Sequence, residues 1–353
     1  MFSIYTYRIY ETGQEFNVDL LEKQLPQGHM PSRARFSRVR TKSIQMEAPP
    51  LLVKLGSFVL ETDLESVSFT VQAKIFDIGA ISICLINENR DLVEKENEEI
   101  GLRFAGQLGL DDIFARALQY LQQMLQPSLN NRRINPDFYE DFTIYHISDA
   151  DELPDPVPLL MGERTNFSAG MREQVLKNRL SYSQEDFAIL TWDTALICDP
   201  EEPGDLRDLI EFANVQLLEL RYYDTMLNQQ MEKMYDDIEL ADTKPRYQKI
   251  RHYRGIISSR MRLIADITEV RERIENLIKI TEDVYYARVY QTTLKVLRSD
   301  QWTDSVNRKL NVIQQNYTLL SNQVNIQHSN FLEWIIIILI ALEFAFAILD
   351  AFL

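Results

Sequence analysis

The spacing of hydrophobic and polar positions divides this chain into a first part that favours strands and a second part that favours helices. One helix is predicted at residues 111–126, where apolar side chains recur at helical spacing before Pro127. Alternating, β-branched and aromatic residues predict strands at residues 66–76, 80–86, 142–147 and 187–198. Residues 77–79 predict a hairpin turn. We therefore expect an α+β domain over residues 1–199.

After residue 204 the pattern changes to heptad spacing. Apolar residues follow a 4-3-4-3 spacing from Leu206 to Ile238, and two further seams follow. These seams predict long helices at residues 205–242, 244–298 and 302–353. Long helices joined by short turns pack antiparallel, so a coiled-coil stalk is expected. Its seams pair either within one subunit, as a three-helix bundle, or between subunits.

Asp224 occupies a seam position of the first long helix. A polar residue at such a position sets register or oligomeric state at a cost in stability. Asp224 is therefore a candidate assembly residue. The alternative is an ion pair with an arginine of the second helix, such as Arg260.

The chain ends in an apolar segment. Residues 335–349 are apolar except for Glu343, and a helix over residues 331–353 would extend about 33 Å. A hydrocarbon core is about 30 Å thick, so the segment predicts one C-terminal transmembrane helix that anchors the protein. Trp334 lies at its start.

One face of the predicted anchor carries Glu343, Ala347 and Asp350. The small side chain of Ala347 allows close approach of another helix. Glu343 either forms a hydrogen bond between subunits, which is an assembly role, or lines a path for an ion or a proton. Both hypotheses require several copies of the chain.

The charge balance is acidic, and the formal net charge of −16 argues against general nucleic-acid binding. One short run is basic although the chain is acidic overall. It consists of Arg33, Arg35, Arg38, Arg40 and Lys42. It predicts either a patch for an anionic partner (lipid, RNA or an acidic subunit) or a solvated segment that offsets the acidic surface.

No pattern of residues predicts chemistry. Phosphate-binding loops, dinucleotide fingerprints, nucleophile elbows and metal-ligand spacings are all missing from the sequence, so no cofactor or metal is expected. Cys84 and Cys198 lie in apolar strand-like runs and predict buried free thiols in a reducing compartment. Asp193 is either a buried acid with a raised pKa or a turn aspartate bonded to the backbone. We expect a protein that is not an enzyme.

Three segments resemble a known family. They read FLEWIIIILIALEF at residues 331–344, FDIG at residues 76–79 and EFANVQLLELRYYD at residues 211–224. They are similar to segments of the membrane proteins required for meiotic nuclear division, which include fungal sporulation proteins and an animal mitochondrial protein. The resemblance implies an oligomeric, membrane-attached protein and, in mitochondria, support of translation at the inner membrane. It implies no catalytic residue.

These expectations combine into one functional hypothesis. The chain is predicted to be a tail-anchored, homo-oligomeric scaffold that presents its α+β domain to a protein partner at the membrane. The alternatives are an ion or proton pathway past Glu343 and, less favoured, a membrane-anchored enzyme. The first residues carry neither a secretory signal nor a transit peptide. We therefore predict a cytoplasmic N-terminal domain at a bacterial membrane, with the matrix side of the mitochondrial inner membrane as the alternative.

Overall fold

The computed structural model describes most of the chain. The described residues are 1–25, 31–34, 36, 44–46, 48–61, 66–89, 94–127, 134–153, 155–242, 267–268, 272, 279–280 and 284–352. They fall into two compact units. The first comprises Met1–Tyr222 and Arg271–Thr303, and the second comprises Tyr223–Val270 and Asp304–Leu353.

Strands and helices alternate in the first half of the chain, and helices dominate the second. The strands are β1 (Phe2–Glu11), β2 (Ser32–Arg33), β3 (Ile44–Gln45), β4 (Leu51–Glu61), β5 (Ser66–Ile75), β6 (Ala80–Asn89), β7 (Tyr139–Ile147), β8 (Arg179–Leu180), β9 (Phe187–Leu190), β10 (Thr194–Cys198) and β11 (Lys279–Ile280). The helices are α1 (Val18–Gln24), α2 (Glu94–Arg103), α3 (Asp111–Leu125), α4 (Val157–Met161), α5 (Ala169–Leu176), α6 (Gly204–Asp242), α7 (Val284–Val296) and α8 (Ser299–Phe352).

A mixed sheet of nine strands forms the first unit, in the order β2-β4-β5-β6-β1-β7-β10-β9-β8. Strand β1 lies inside the sheet and pairs antiparallel with β6 and β7. Strand β10 pairs with β7 in parallel, and the chain between them forms α4, α5, β8 and β9. This architecture confirms the predicted N-terminal domain of mixed α and β structure.

One face of the sheet is apolar. Alternate residues of β1, such as Phe2 and Ile4, join the main hydrophobic core on this side. Helix α3 packs there with its buried side chains Ile113, Phe114, Ala117, Leu118, Leu121 and Leu125, which are those that its helical spacing predicts. Burial of this apolar stripe against the sheet stabilises both elements.

Several local predictions are confirmed. Strands β5 and β6 form the predicted hairpin around residues 77–79, paired from Thr70 to Ile75. The predicted strand at residues 187–198 turns at Asp193, since β9 ends at Leu190 and β10 begins at Thr194. Both cysteines are buried free thiols.

The second unit contains buried side chains from the heptad seams of two long helices, α6 and α8. Its buried side chains include Leu227 and Met234 of α6. From α8 they include Val306, Leu310, Ile313, Tyr317 and Leu320. These are seam positions of the heptad pattern, and they are buried within one subunit. The predicted coiled-coil stalk is not shown for the residues that the structure describes.

Helices α6 and α8 lie where long helices are predicted at residues 205–242 and 302–353. The predicted helix at residues 244–298 falls largely outside the described residues. Within its described part, β11 pairs with β3 in a separate two-stranded sheet, and α7 covers Val284–Val296.

The predicted transmembrane helix is wrong for the part of the chain that the structure describes: no helix there is both long and apolar enough to span a bilayer. The apolar stretch of α8 with described side chains, residues 334–342, lies between Glu333 and Glu343. At about 1.5 Å per residue it covers about 14 Å, roughly half of a hydrocarbon core. This finding also overturns the predicted anchor at residues 331–353 and the single-pass membrane location.

Candidate functional site

The second face of the sheet is polar and lies beneath the first part of α6. Alternate residues of β1, namely Ser3, Tyr5, Tyr7, Ile9 and Glu11, are all buried on this side. Their sheet neighbours here include Cys84 of β6, opposite Tyr7, and His146 of β7, opposite Ser3. We call this surface, together with the α6 residues that cover it, the polar face.

A buried lysine holds α6 to the sheet. Lys74 of β5 donates from Nζ to Asp208 Oδ1 at 2.6 Å and to Glu211 Oε2 at 2.7 Å. Both acids belong to α6, and Glu211 is as buried as Lys74. Burial acts to lower the pKa of Lys74, but the two carboxylates outweigh it and hold that pKa above its ordinary value. The lysine therefore stays charged and paired.

An arginine lies beside this group. The guanidinium carbon of Arg207 lies 3.9 Å from the centre of the Tyr5 ring, and Nη2 donates to Glu202 Oε1 at 2.8 Å. A cation over a tyrosine face is attracted by the ring quadrupole, more strongly where water is excluded. Arg207 thus fixes the first turn of α6 on β1.

The thiol of Cys84, on the polar face, is unreactive. Burial raises the pKa of Cys84 to about 12, and the Glu211 carboxylate acts in the same direction. A protonated, buried thiol is a poor nucleophile and a poor metal ligand. Cys84 therefore fills space between β6 and α6.

His146 is also held in a structural role. Its Nε2 donates to the Asp199 carbonyl oxygen at 2.9 Å, which ties β7 to the segment before α6. Burial lowers the pKa of His146, so the ring is neutral at ordinary pH. Among the residues that the structure describes, no group of three or more His, Cys, Asp or Glu side chains could hold a metal ion.

Three acids line the far end of the polar face. Glu140 of β7 is mostly buried, and burial raises its pKa to about 7 although the Arg221 guanidinium contacts it and opposes the shift. Glu11 of β1 and Glu219 of α6 face each other beside this pair. Glu219 is fully buried.

The arrangement is suited to docking a helix. Each of its cations, Lys74, Arg207 and Arg221, is paired with at least one carboxylate. Phe76, directly after β5, meets Phe212 of α6 edge to face at 5.3 Å between ring centres. Buried ion pairs specify one arrangement of the partners more than they add stability. The polar face therefore fixes the register of α6 on the sheet.

The predicted basic patch is only partly described. Arg33 donates to Asp19 at 2.5 Å and to Glu22 at 2.8 Å, both on α1. Arg33 is therefore paired with acidic residues of its own subunit. Arg35, Arg38, Arg40 and Lys42 lie outside the described residues.

The predicted assembly residues lie in the second unit. Asp224 Oδ1 accepts from Lys309 Nζ at 2.5 Å and from Ser305 Oγ at 2.6 Å, so it is paired with α8. Trp334 is 64% exposed and Glu343 is exposed on the same helix. Ala347 and Asp350 belong to α8, but their side chains lie outside the described part.

The sequence pattern did not indicate the residues of the polar face. Lys74, Arg207, Glu211 and Glu219 looked like the ordinary charges of an acidic chain. A signal was present, because Lys74 interrupts an alternating strand and Glu219 lies in the apolar run LLEL. Charged residues inside apolar runs are rarely fully buried without a partner, so each predicts a contact.

Comparisons with known proteins give one family and one relative. The family described as "Uncharacterized protein MJ0711, N-terminal domain" matches residues 1–205. The "Uncharacterized protein MJ0711" of Methanocaldococcus jannaschii is 26% identical over 253 residues, which cover 67% of this chain and 72% of that protein. No solved structure matches the chain. These findings do not bear on the resemblance to the meiotic nuclear division family, which stays a prediction.

Proposed function

Since the chain belongs to the family described as "Uncharacterized protein MJ0711, N-terminal domain", we propose a function from the chemistry of its own residues. It is a non-enzymatic scaffold that presents the sheet domain and assembles with copies of itself through helix α8. The interaction segment is residues 334–342 of that helix.

The observation that carries this proposal is the exposure of the interaction segment. Its large side chains are all exposed, from 38% for Ile335 to 64% for Trp334. Because these residues are consecutive on a helix, they are exposed around its whole circumference. Contiguous exposed apolar surface on this scale marks a site of association.

A second copy of the chain is the occupant that fits best. The 4-3 spacing of the buried α8 seam, which includes Tyr317 and Leu320, continues to Trp334, Ile338 and Ala341. An identical helix repeats this spacing and so offers matching knobs and holes. Several copies can also cover a helix that is apolar on every side, whereas one flat partner surface covers a single side.

The free energy available from burying the interaction segment is of the size that association requires. Complete burial of a large apolar side chain contributes about 1.5–3 kcal/mol, so a half-exposed one contributes about 1 kcal/mol. Burial of the interaction segment then contributes about 8 kcal/mol per copy, which is comparable with the cost of association of about 4–15 kcal/mol.

Four side chains of the polar face, namely Lys74, Arg207, Cys84 and His146, support the absence of catalysis in this proposal. The lysine and the arginine are paired with carboxylates, the thiol is protonated and the histidine bonds to a backbone carbonyl. A catalytic group needs a free proton-transfer or nucleophilic position. The ion-pathway alternative depended on a transmembrane helix, and no observation favours it.

The test compares the assembly mass of the full chain with that of two variants. In the first, Trp334→Asn and Ile338→Asn place amides in the interaction segment. In the control, Leu319→Asn and Ile326→Asn change exposed apolar residues of the same helix, 66% and 61% exposed. We expect native mass spectrometry and sedimentation velocity to show an oligomer for the wild type and the control, and at least about tenfold weaker association for the first variant.

Two outcomes would contradict the proposal. One is an equal mass for the wild type, the control and the interaction-segment variant at the same concentration. The other is a wild-type chain that is monomeric in buffer and sediments only together with phosphatidylcholine vesicles.

A further inference from the structure

The carboxyl groups of Glu11 and Glu219 face each other on the polar face. Unlike the other charged groups there, they are not paired with a described cation. Glu219 is 0% exposed and Glu11 is 6% exposed. The groups lie close enough to interact. Nevertheless, both oxygens of Glu219 and Oε2 of Glu11 have no hydrogen-bond partner of ordinary length and angle among the described residues.

Hydrogen bonds hold the Glu11 carboxyl group and the segment that follows it. Glu11 Oε1 accepts from the Gly13 amide at 2.7 Å. The Thr12 hydroxyl donates to the Gly79 carbonyl oxygen at 2.7 Å, which ties the segment after β1 to the β5–β6 turn. The pair is therefore built into the junction of β1, this turn and α6.

The charges that act most strongly on the Glu219 carboxyl are those of other acids. Asp77 of the β5–β6 turn and Glu15 of the segment after β1 both act on the Glu219 carboxyl. On β7, Glu140 lies opposite Ile9 of β1 and pairs with Arg221 of α6. No described cation is paired with Glu11 or Glu219.

Two buried carboxylates without a cation repel each other, and each loses its hydration. A single proton between them removes the repulsion and supplies a donor for a short O–H···O hydrogen bond. Carboxyl pairs of this kind titrate as one unit. The neutral or singly charged pair is thus the form that is compatible with a docked α6.

We propose that the Glu11–Glu219 pair is a proton-binding site that fastens α6 to the sheet, and that loss of this proton at higher pH loosens the helix around Glu219. The site makes the docking of α6 responsive to pH. The pair lies in the first unit of the chain, whereas the interaction segment lies in the second.

The titration behaviour agrees with the geometry. Burial and the Glu11 carboxyl raise the pKa of Glu219 well above its ordinary value, and burial also raises the pKa of Glu11. A raised carboxyl pKa means that the folded state binds more protons than the unfolded state. Stability is therefore highest below the ordinary glutamate pKa, falls as pH rises toward the raised pKa and is level above it.

The test is Glu219→Gln, which keeps the shape and supplies a permanent N–H donor to Glu11. Glu173→Gln, an exposed glutamate of helix α5, is the matched control. The equilibrium constants for unfolding of the wild type and Glu219→Gln should have a constant ratio below about pH 4. Above this pH, the ratio should change by about tenfold per pH unit, and the variant should become the more stable of the two relative to its value at low pH. The change should stop once the pair has lost its proton. Glu140 is present in all three proteins, so its own titration cancels.

A second measurement applies even if the substitution weakens the fold. In the wild type, hydrogen exchange of backbone amides near Glu219, corrected for the intrinsic pH dependence, should accelerate with pH, while amides of α3 keep their protection. An unfolding ratio that stays constant from pH 4 to pH 9 would overturn the proposal. So would stabilisation by Ca²⁺ at pH 8 that is lost in Glu219→Gln, because a cation would then be the ligand.

Discussion

The charged side chains beneath α6 differ in how completely their charge is compensated. Lys74 has two carboxylate partners, whereas the Glu11–Glu219 pair has no described cation. Removal of one member of a compensated group is costly because it leaves the other members buried and charged. The energetic role of each residue therefore follows from its partners more than from its own burial.

Replacement of Lys74 tests this difference directly. Lys74→Met keeps the length of the side chain but leaves Asp208 and Glu211 without their cation. We expect a loss of about 3–5 kcal/mol in the free energy of unfolding, measured by urea denaturation. The control is Lys54→Met on the adjacent strand β4, where the side chain is exposed and the expected change is within about 0.5 kcal/mol. Equal losses for the two variants would contradict a special role of Lys74.

At this scale the sequence predicted apolar burial better than polar burial. The buried side chains of α3 and the two thiols follow from apolar context alone. The polar face does not, because the partner of Lys74 lies more than 130 positions away in α6. The sequence pattern shows that a charged residue lies inside an otherwise apolar strand. It does not show which residue of opposite charge will pair with it.

The β5–β6 hairpin depends on the geometry of its turn. Gly79 has a φ of +115°, which a residue with a Cβ rarely adopts. A Cβ at this position would lie 2.6 Å from the carbonyl oxygen of Gln14. The segment after β1 can therefore cross the turn closely only because residue 79 has no side chain.

Gly79→Ala is expected to destabilise the fold by about 2–3 kcal/mol, since both the backbone angle and the close approach oppose a methyl group. Gly170→Ala in helix α5 is the matched control. A Cβ there meets no atom within 4 Å, and alanine should raise stability by about 0.4–1 kcal/mol. Thermal unfolding of the two variants measures both effects, and changes of the same sign would contradict this account of the turn.

Long elements were easier to predict than short ones. Repeated spacing over many residues places apolar side chains such as Leu227 and Ile313 in a buried seam. Strands of two residues, such as β2 and β8, carry no such pattern. The parallel pairing of β7 with β10 was not predicted either, because it depends on the packing of everything between them.

The proposed assembly would have to overcome the charge of its own copies. Each copy carries a formal net charge of −16, so copies that associate through the interaction segment repel each other electrostatically. Salt screens this repulsion, since the Debye length falls from about 30 Å at 0.01 M to about 3 Å at 1 M ionic strength. Apolar contacts are not weakened in the same way.

We therefore expect self-association to strengthen at least about tenfold between 0.02 M and 0.5 M NaCl, measured by sedimentation equilibrium. The variant with Trp334→Asn and Ile338→Asn should remain dissociated at both concentrations. Weaker association at high salt would instead indicate that ion pairs between copies hold the assembly together.

The C-terminal helix shows why whole-molecule predictions fail. Apolar composition predicted a membrane span, but the described apolar stretch ends at Glu333 and Glu343 and is too short to cross a bilayer. The same isoleucine run forms the association surface that we propose. Composition measures how much apolar area a segment has, and it does not identify what covers that area.

The inner position of β1 has a consequence for the synthesis of the protein. Both neighbours of β1 come much later in the chain, at Ala80–Asn89 and at Tyr139–Ile147. At about 5–20 residues per second, roughly 4 to 16 seconds separate the emergence of β1 from that of β6. During this time an apolar strand with two unpaired edges is open to aggregation. The pace of translation and chaperone access therefore govern how much of the nascent chain reaches the folded state.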